Sequence, residues 1–128
     1  MSKPEKVEEL QKLVVSTFFT FYLQMKTFHF QTESYNRHAN VDAFLKEYSE
    51  LYDRFVEVCM GRHGTIEMGD YSLAIKSIDD DNVLEHVDTF LDFLDELREL
   101  YADYPDLLNI RDEMEAAVHV MVYKLNLD

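Results

Sequence analysis

Turn-forming residues are scarce in this sequence: of 128 residues three are glycine and two are proline, and there is no tryptophan. So few turn formers argue against an all-β fold, which must reverse direction every few residues. The single cysteine, Cys59, excludes an internal disulfide framework and any cysteine-based zinc cluster. Basic residues are also few, 12 against 26 acidic ones, for a formal net charge of −14. Affinity for a phosphate backbone comes mostly from neutralising it with Lys and Arg, so nucleic acid is not expected as a partner. Lys3 and Lys6 are too few to act as a basic arm. An acidic surface attracts cations, although solubility alone explains it. No apolar run approaches the roughly eighteen residues of a membrane span, and no basic-then-apolar leader follows Met1. The expectation is a cytoplasmic protein with no membrane attachment.

What remains is an ordinary globular composition, 47% apolar and 30% charged, of a size that makes one domain over residues 1–128. Four segments carry apolar residues at helical spacing, and none shows sustained alternation. The first covers residues 4–31, on Val7, Leu10, Val14, Phe18, Phe21, Met25 and Phe28. Pro4 suits its first turn, and Glu5, Glu8 and Glu9 suit the positive end of its dipole. The second covers residues 38–60, on Val41, Phe44, Tyr48, Leu51, Phe55 and Cys59, with Gly61 as the expected stop. The third covers residues 82–104, on Val83, Val87, Phe90, Leu94, Leu97 and Tyr101. The fourth covers residues 106–127, on Leu107, Ile110, Met114, Val118, Met121 and Leu125, with Pro105 marking the break before it.

The connections set the topology. Short turns at residues 32–37 and 103–106 make the first two helices antiparallel neighbours, and the last two likewise. Residues 61–81 form a much longer link, enough to travel the length of a helix of about 33 Å. The second and third helices can therefore run parallel. The expected fold is all-α, a four-helix bundle with one long crossover between helices two and three, the connectivity of ferritin-like folds. A short extra helix over residues 71–78 is expected within the crossover, and Asp79, Asp80 and Asp81 are expected to open the third helix.

Chemistry concentrates on the second helix, which holds His38, Asp42, Asp53 and Glu57 in a His-x3-Asp-x10-Asp-x3-Glu pattern. At about 100° per residue these four fit an arc of about 100°, centred about 140° from the helix's apolar stripe. They point away from their own core. Eleven residues separate Asp42 from Asp53 by about 16 Å, too far for one ion to bind both in a single chain. A two-fold axis near Ser49 resolves this by laying the helix antiparallel on its symmetry mate. His38 and Asp42 of one subunit then stand beside Asp53 and Glu57 of the other. Small Ser49, bordered by Leu45 and Val56, is expected to let the helices approach and bury apolar area. His29, at the end of the first helix, is placed to add an imidazole, or to be a buried histidine with a satisfied ring. Mixed carboxylate and imidazole ligands suit iron(II), manganese or zinc better than calcium or magnesium.

The run His29-Phe30-Gln31, then His38-Ala39-Asn40-Val41-Asp42, then Tyr52-Asp53-Arg54-Phe55-Val56-Glu57 resembles the ferroxidase signature of Dps-like miniferritins. Helix order and crossover extend the likeness over residues 8–127. Phe30 stands where that family usually has Trp, the stretch between the two histidines is shorter by about three residues, and the DNA-binding lysine-rich tail of some members has no counterpart. The resemblance implies a four-helix subunit that assembles through two-folds, in the family typically into hollow twelve-subunit cages. It implies oxidation of iron(II), by hydrogen peroxide or dioxygen, and storage of the ferric product. It also implies that His29, His38 and Asp42 of one subunit meet Asp53 and Glu57 of the next, with His38, Asp42, Asp53 and Glu57 carrying the reaction. Two other readings stand beside it: a non-catalytic four-helix dimerisation or interaction module, and a protein that sequesters divalent metal without oxidising it.

The remaining features read as structure. Glu115 and His119 are one turn apart and expected in a surface contact. His86 is expected to be exposed and His63 to lie in a loop. Phe18, Phe19, Phe21, Tyr22, Phe28 and Phe30 are expected in core and interface packing, and Cys59 as a buried thiol. Glu-x-x-His, the motif that places inward ligands in ferritin-type di-iron bundles, does not occur.

Overall fold

The structure, a computed structural model, describes the backbone of residues 5–127 and the side chains of residues 8–127. Pro4 and the side chain of Val7 lie outside the described residues. Four helices follow one another, α1 (Glu5–Gln31), α2 (Tyr35–His63), α3 (Val83–Leu100) and α4 (Pro105–Leu125). Among the described residues there is no strand. None of these helices is long and apolar enough to cross a membrane.

The helix ends follow local chemistry. Ser34 caps α2, its hydroxyl accepting from the Arg37 N–H at 3.1 Å, so the helix begins three residues before the expected His38. Gly61 does not stop it. A Cβ there would meet open space, and the helix continues to His63. It ends at Gly64, whose φ of 90° is one that other residues rarely adopt and whose N–H donates to the Met60 carbonyl at 2.8 Å. Pro105 occupies the first position of α4, where its missing N–H costs nothing.

Side-chain contacts fix the directions. Arg62 meets Asp106, Arg54 meets Glu113 and Asn36 meets the Lys124 carbonyl, so α2 and α4 are antiparallel neighbours. Phe18 faces Phe93 and Phe21 stacks on Phe90 with ring centroids 3.9 Å apart, so α1 runs antiparallel to α3. Arg111 of α4 reaches the Leu94 carbonyl of α3. Helices α2 and α3 are therefore parallel across the diagonal, as the crossover requires.

The apolar stripes meet in one core. The positions expected on α2, α3 and α4 are all buried, as are Val14, Phe18, Phe21, Met25 and Phe28 of α1. Phe18 sits at the centre, edge-on to Tyr48, Phe55 and Phe93, and the Tyr48 hydroxyl donates to the Phe18 carbonyl at 2.9 Å. Cys59 is buried, as expected. Phe30 is not in the core: it is 71% exposed, with the Lys26 ammonium over its ring. Arg111, 1% exposed, is buried although no periodicity marks it. Its guanidinium is held by Leu94, Asp112 and Glu115, which satisfy it within the α3/α4 contact.

The crossover, residues 64–82, is irregular throughout, and the helix expected over residues 71–78 does not form. Of that stretch only Ile78 is buried, while Tyr71 and Ile75 are exposed. A helix of one or two turns is marginal unless packing of an apolar face supports it, and here only Ile78 is packed inside. The acidic run does not open α3 from inside. Asp79 accepts from the N–H groups of Asp81 and Asn82 at 2.9 Å, making the turn that precedes Val83. Asp80 instead reaches the α1–α2 corner, where it accepts from the Thr32 hydroxyl at 2.7 Å and pairs with Arg37 at 3.2 Å.

Phe18→Ala is expected to lower unfolding stability by about 3–5 kcal/mol, because it empties the centre of the core. Tyr48→Phe removes one hydrogen bond and no volume, so a loss of about 0.5–1.5 kcal/mol is expected. Urea denaturation of the two variants checks the contrast.

Candidate metal centre

The α1–α2 corner is short and tightly held. Arg37 ties it to two distant segments: its guanidinium donates to the Asp80 carbonyl at 2.9 Å and to the Leu125 carbonyl at 3.3 Å. This brings the last turn of α1 against the first turn of α2, with His29 facing His38.

The two histidines make reciprocal contacts. His29 Nδ1 lies 2.7 Å from the His38 carbonyl oxygen, and His38 Nδ1 lies 2.7 Å from the His29 carbonyl oxygen. The His29 carbonyl is one of the orphan acceptors at a helix C-terminus, so the His38 ring satisfies a group the helix cannot. A carbonyl oxygen only accepts, so each Nδ1 carries the proton. In the neutral rings that leaves each Nε2 with a free lone pair. The rings stack with centroids 3.9 Å apart and planes 16° from parallel. Their lone pairs do not converge on one point, so in these rotamers one ion takes one imidazole. His29 is 6% exposed and His38 is half-buried. Phe30 lies 5.1 Å from the His29 ring and Tyr35, itself 83% exposed, 6.3 Å from the His38 ring.

One turn after His38, Asp42 is half-buried and flanked by two lysines, Lys46 at 3.3 Å and Lys26 at 3.9 Å. The hydrogen bond from Lys46 is the largest influence on its carboxyl, and together with the nearby positive charges it outweighs desolvation, the next largest, to hold the group below the usual carboxylate range. At the other end of the helix Asp53 and Glu57 are both exposed. There the hydrogen bond with Asp53, followed by the Asp53 charge, pushes Glu57 above its ordinary value. Two carboxylates this close repel when both ionise, and a cation relieves the repulsion.

The five expected residues thus fall into two groups, His29, His38 and Asp42 at the corner and Asp53 with Glu57 about 16 Å along α2. Within one chain, among the described residues, no three His, Cys, Asp or Glu side chains come together closely enough to hold a metal ion. The apolar part of the expected two-fold contact needs correcting. Leu45 is 2% exposed and belongs to the chain's own core, and Val56 packs against that core. A helix with two bundle neighbours buries a wider arc than one stripe, so the side of α2 carrying His38, Leu45 and Val56 is partly taken up by its own bundle. Ser49 remains half-exposed, its hydroxyl donating to the Lys46 carbonyl.

Elsewhere the expectations for the remaining histidines are not met. Glu115 pairs with Arg98 and Arg111, and His119 is exposed without joining that contact. His63 is the last residue of α2 rather than a loop residue, with its ring against Tyr104, and His86 is half-buried rather than exposed. Lys26 was the neighbour of Asp42 that the pattern along α2 could not reveal, since it comes from α1. Lys46, four residues beyond Asp42, was visible as a helical pair.

Residues 29–125 match a family described only as a family of unknown function (DUF5856). No curated protein and no solved structure matches the chain. All five candidate residues lie inside the matched segment.

Carboxyl titration followed by NMR is expected to separate the two ends of the site: Asp42 titrates below the ordinary Asp value and Glu57 above the ordinary Glu value. The signs differ in their effect on folding. Asp42, with its pKa lowered by folding, stabilises above its unfolded value near 3.9, and that contribution is lost as pH falls through the folded value. Glu57, with its pKa raised, contributes stability below its unfolded value near 4.3, and this is lost as pH rises through the folded one. Glu57→Gln should therefore raise the melting temperature at pH 7 and leave it unchanged at pH 3.

Proposed function

The chain belongs to this family of unknown function, and from the site itself we propose that it is a Dps-like iron-binding protein. In this reading it oxidises iron(II) at a carboxylate and histidine site shared across a two-fold dimer, in the cytoplasm. The observation that carries the reading is the pinning of both imidazoles by Nδ1–H to a backbone carbonyl. Metal-binding histidines are held in this way, since it fixes the tautomer and leaves Nε2 as the ligand atom. Two residues so prepared, on the edge of a helix face that also carries Asp42, Asp53 and Glu57, make a donor set suited to iron(II).

In the dimer His38 and Asp42 of one subunit stand near Asp53 and Glu57 of the other. Iron(II) is the substrate. Two iron(II) ions each lose one electron, and hydrogen peroxide accepts both with two protons to leave two water molecules. Dioxygen can replace peroxide as the electron acceptor. Asp53 and Glu57 bind the ion with their charge, and His38 supplies a neutral donor. Lys46 is largely exposed and free to swing away from Asp42 when a dication takes its place. The ferric product passes to storage, or is simply removed from reaction with peroxide. Manganese or zinc can occupy the same ligands without turning over.

One observation favours a second reading, a non-catalytic dimerisation or interaction module. The histidines lie flat on one another and Asp42 is already neutralised by two lysines, so the corner is satisfied without a metal.

A complementation assay separates the readings. His38→Ala and Glu57→Ala should each reduce peroxide-driven iron(II) oxidation to the uncatalysed rate. Unfolded together and refolded as a mixture, they should regain about a quarter of the wild-type rate, because half the dimers are mixed and each carries one intact site of two. Recovery of nothing, from variants that still dimerise, would refute sharing. A wild-type rate no faster than iron in buffer, with no shift in melting temperature on adding iron(II), would support the interaction module.

A further inference from the structure

We propose that the groove between α1 and α3, beneath the crossover, binds a small aromatic carboxylate. The groove has a volume of about 230 Å³ and lies on the side of the bundle away from the outer face of α2. Its floor is the stacked pair Phe21 and Phe90 with Phe93 beside them, an apolar aromatic surface that can hold a ring. An engineered apolar cavity of roughly 150 Å³ takes up benzene, so this volume holds a ring with a short acidic arm, about ten non-hydrogen atoms.

The rim determines the polar end of the ligand. Gln24, Lys76 and His86 all line the groove, and among the described residues none of their side chains has a hydrogen bond or ion pair. Gln24 is 8% exposed, and among the described residues its carboxamide has no partner. It lines the groove and keeps a little exposure, which leaves its amide available to a ligand there. The three threonines of the lining behave differently: Thr17, Thr20 and Thr89 donate their hydroxyl protons to carbonyls of their own helices. The donors left free are therefore the Lys76 ammonium, the Gln24 amide and a ring N–H of His86. Three donors around an apolar floor, one of them a full positive charge in a chain of net charge −14, select an anion with a flat apolar body. Lys76 stands on the crossover, so ligand binding also ties that irregular segment to the α1/α3 pair.

The test is a titration of the full chain with sodium phenylacetate, followed by backbone amide NMR, with benzylamine as a slightly smaller aromatic cation. Saturable one-site binding is expected at millimolar phenylacetate or below, with shifts centred on Thr20, Gln24, His86 and Phe90. Lys76→Ala, at an exposed position, should fold normally and weaken binding about tenfold to a hundredfold. Benzylamine should bind more weakly than phenylacetate. Non-saturating or scattered shifts, unchanged affinity in Lys76→Ala, or benzylamine binding as tightly as phenylacetate would each overturn the proposal. Iron(II) oxidation enters none of these readouts, so this site and the proposed metal site fail or stand separately.

Discussion

The Arg37 guanidinium holds together the parts of this bundle that the chain itself leaves far apart. It binds the end of the crossover through Asp80 and the end of α4 through the Leu125 carbonyl, and it sits one residue before His38. A bundle with one long crossover has a particular weakness: the link between its two hairpins has no secondary structure to position it. Here the link is secured by Ile78 inside the core and by Asp80 at the corner. Both anchors lie in its last few residues, just before α3. The same contacts press the end of α1 onto the start of α2, which is what allows each histidine ring to reach the other's carbonyl.

Much of this fold is legible in the sequence because the core is built by repetition. Twenty-three core positions named from spacing on four helices are buried where the spacing puts them, from Val14 on α1 to Leu125 on α4. Connection lengths carry the topology, since a turn of a few residues leaves no choice but an antiparallel neighbour. What periodicity cannot convey is the width of burial. Leu45 lies beside the stripe of α2 and, on a helical wheel, looks free for a partner, yet it is buried in the chain's own core. Arg111 was hidden for the complementary reason, because a charged residue enters a core only when carbonyls and carboxylates from two helices meet it there.

The site was legible to a different degree at its two ends. Asp53 and Glu57 are one turn apart on one helix, so their proximity and mutual repulsion follow from sequence spacing alone. The pairing of His29 with His38 depends on how a short turn folds, on which rotamers pack, and on an Asp80 nearly fifty residues away. Spacing places the rings near each other but says nothing of their stacking. The capture of Asp42 by Lys26 likewise needs the packing of α1 on α2 before it exists.

These two ends have opposite electrostatic character, and that difference gives the proposed dimer its physical rationale. The corner end sets Lys26 and Lys46 around one aspartate beside two imidazoles, while the other end presents two carboxylates, one of which resists ionisation because of its neighbour. Antiparallel pairing of α2 across a two-fold sets the basic end of each subunit on the acidic end of its mate, twice. Parallel pairing would instead set like on like. With Leu45 withdrawn into its own core, apolar burial contributes less to such a contact than the sequence suggested. Charge complementarity and shared coordination must contribute correspondingly more. An interface of that kind is sensitive to salt and to the metal it encloses, and less so to the loss of any one apolar side chain.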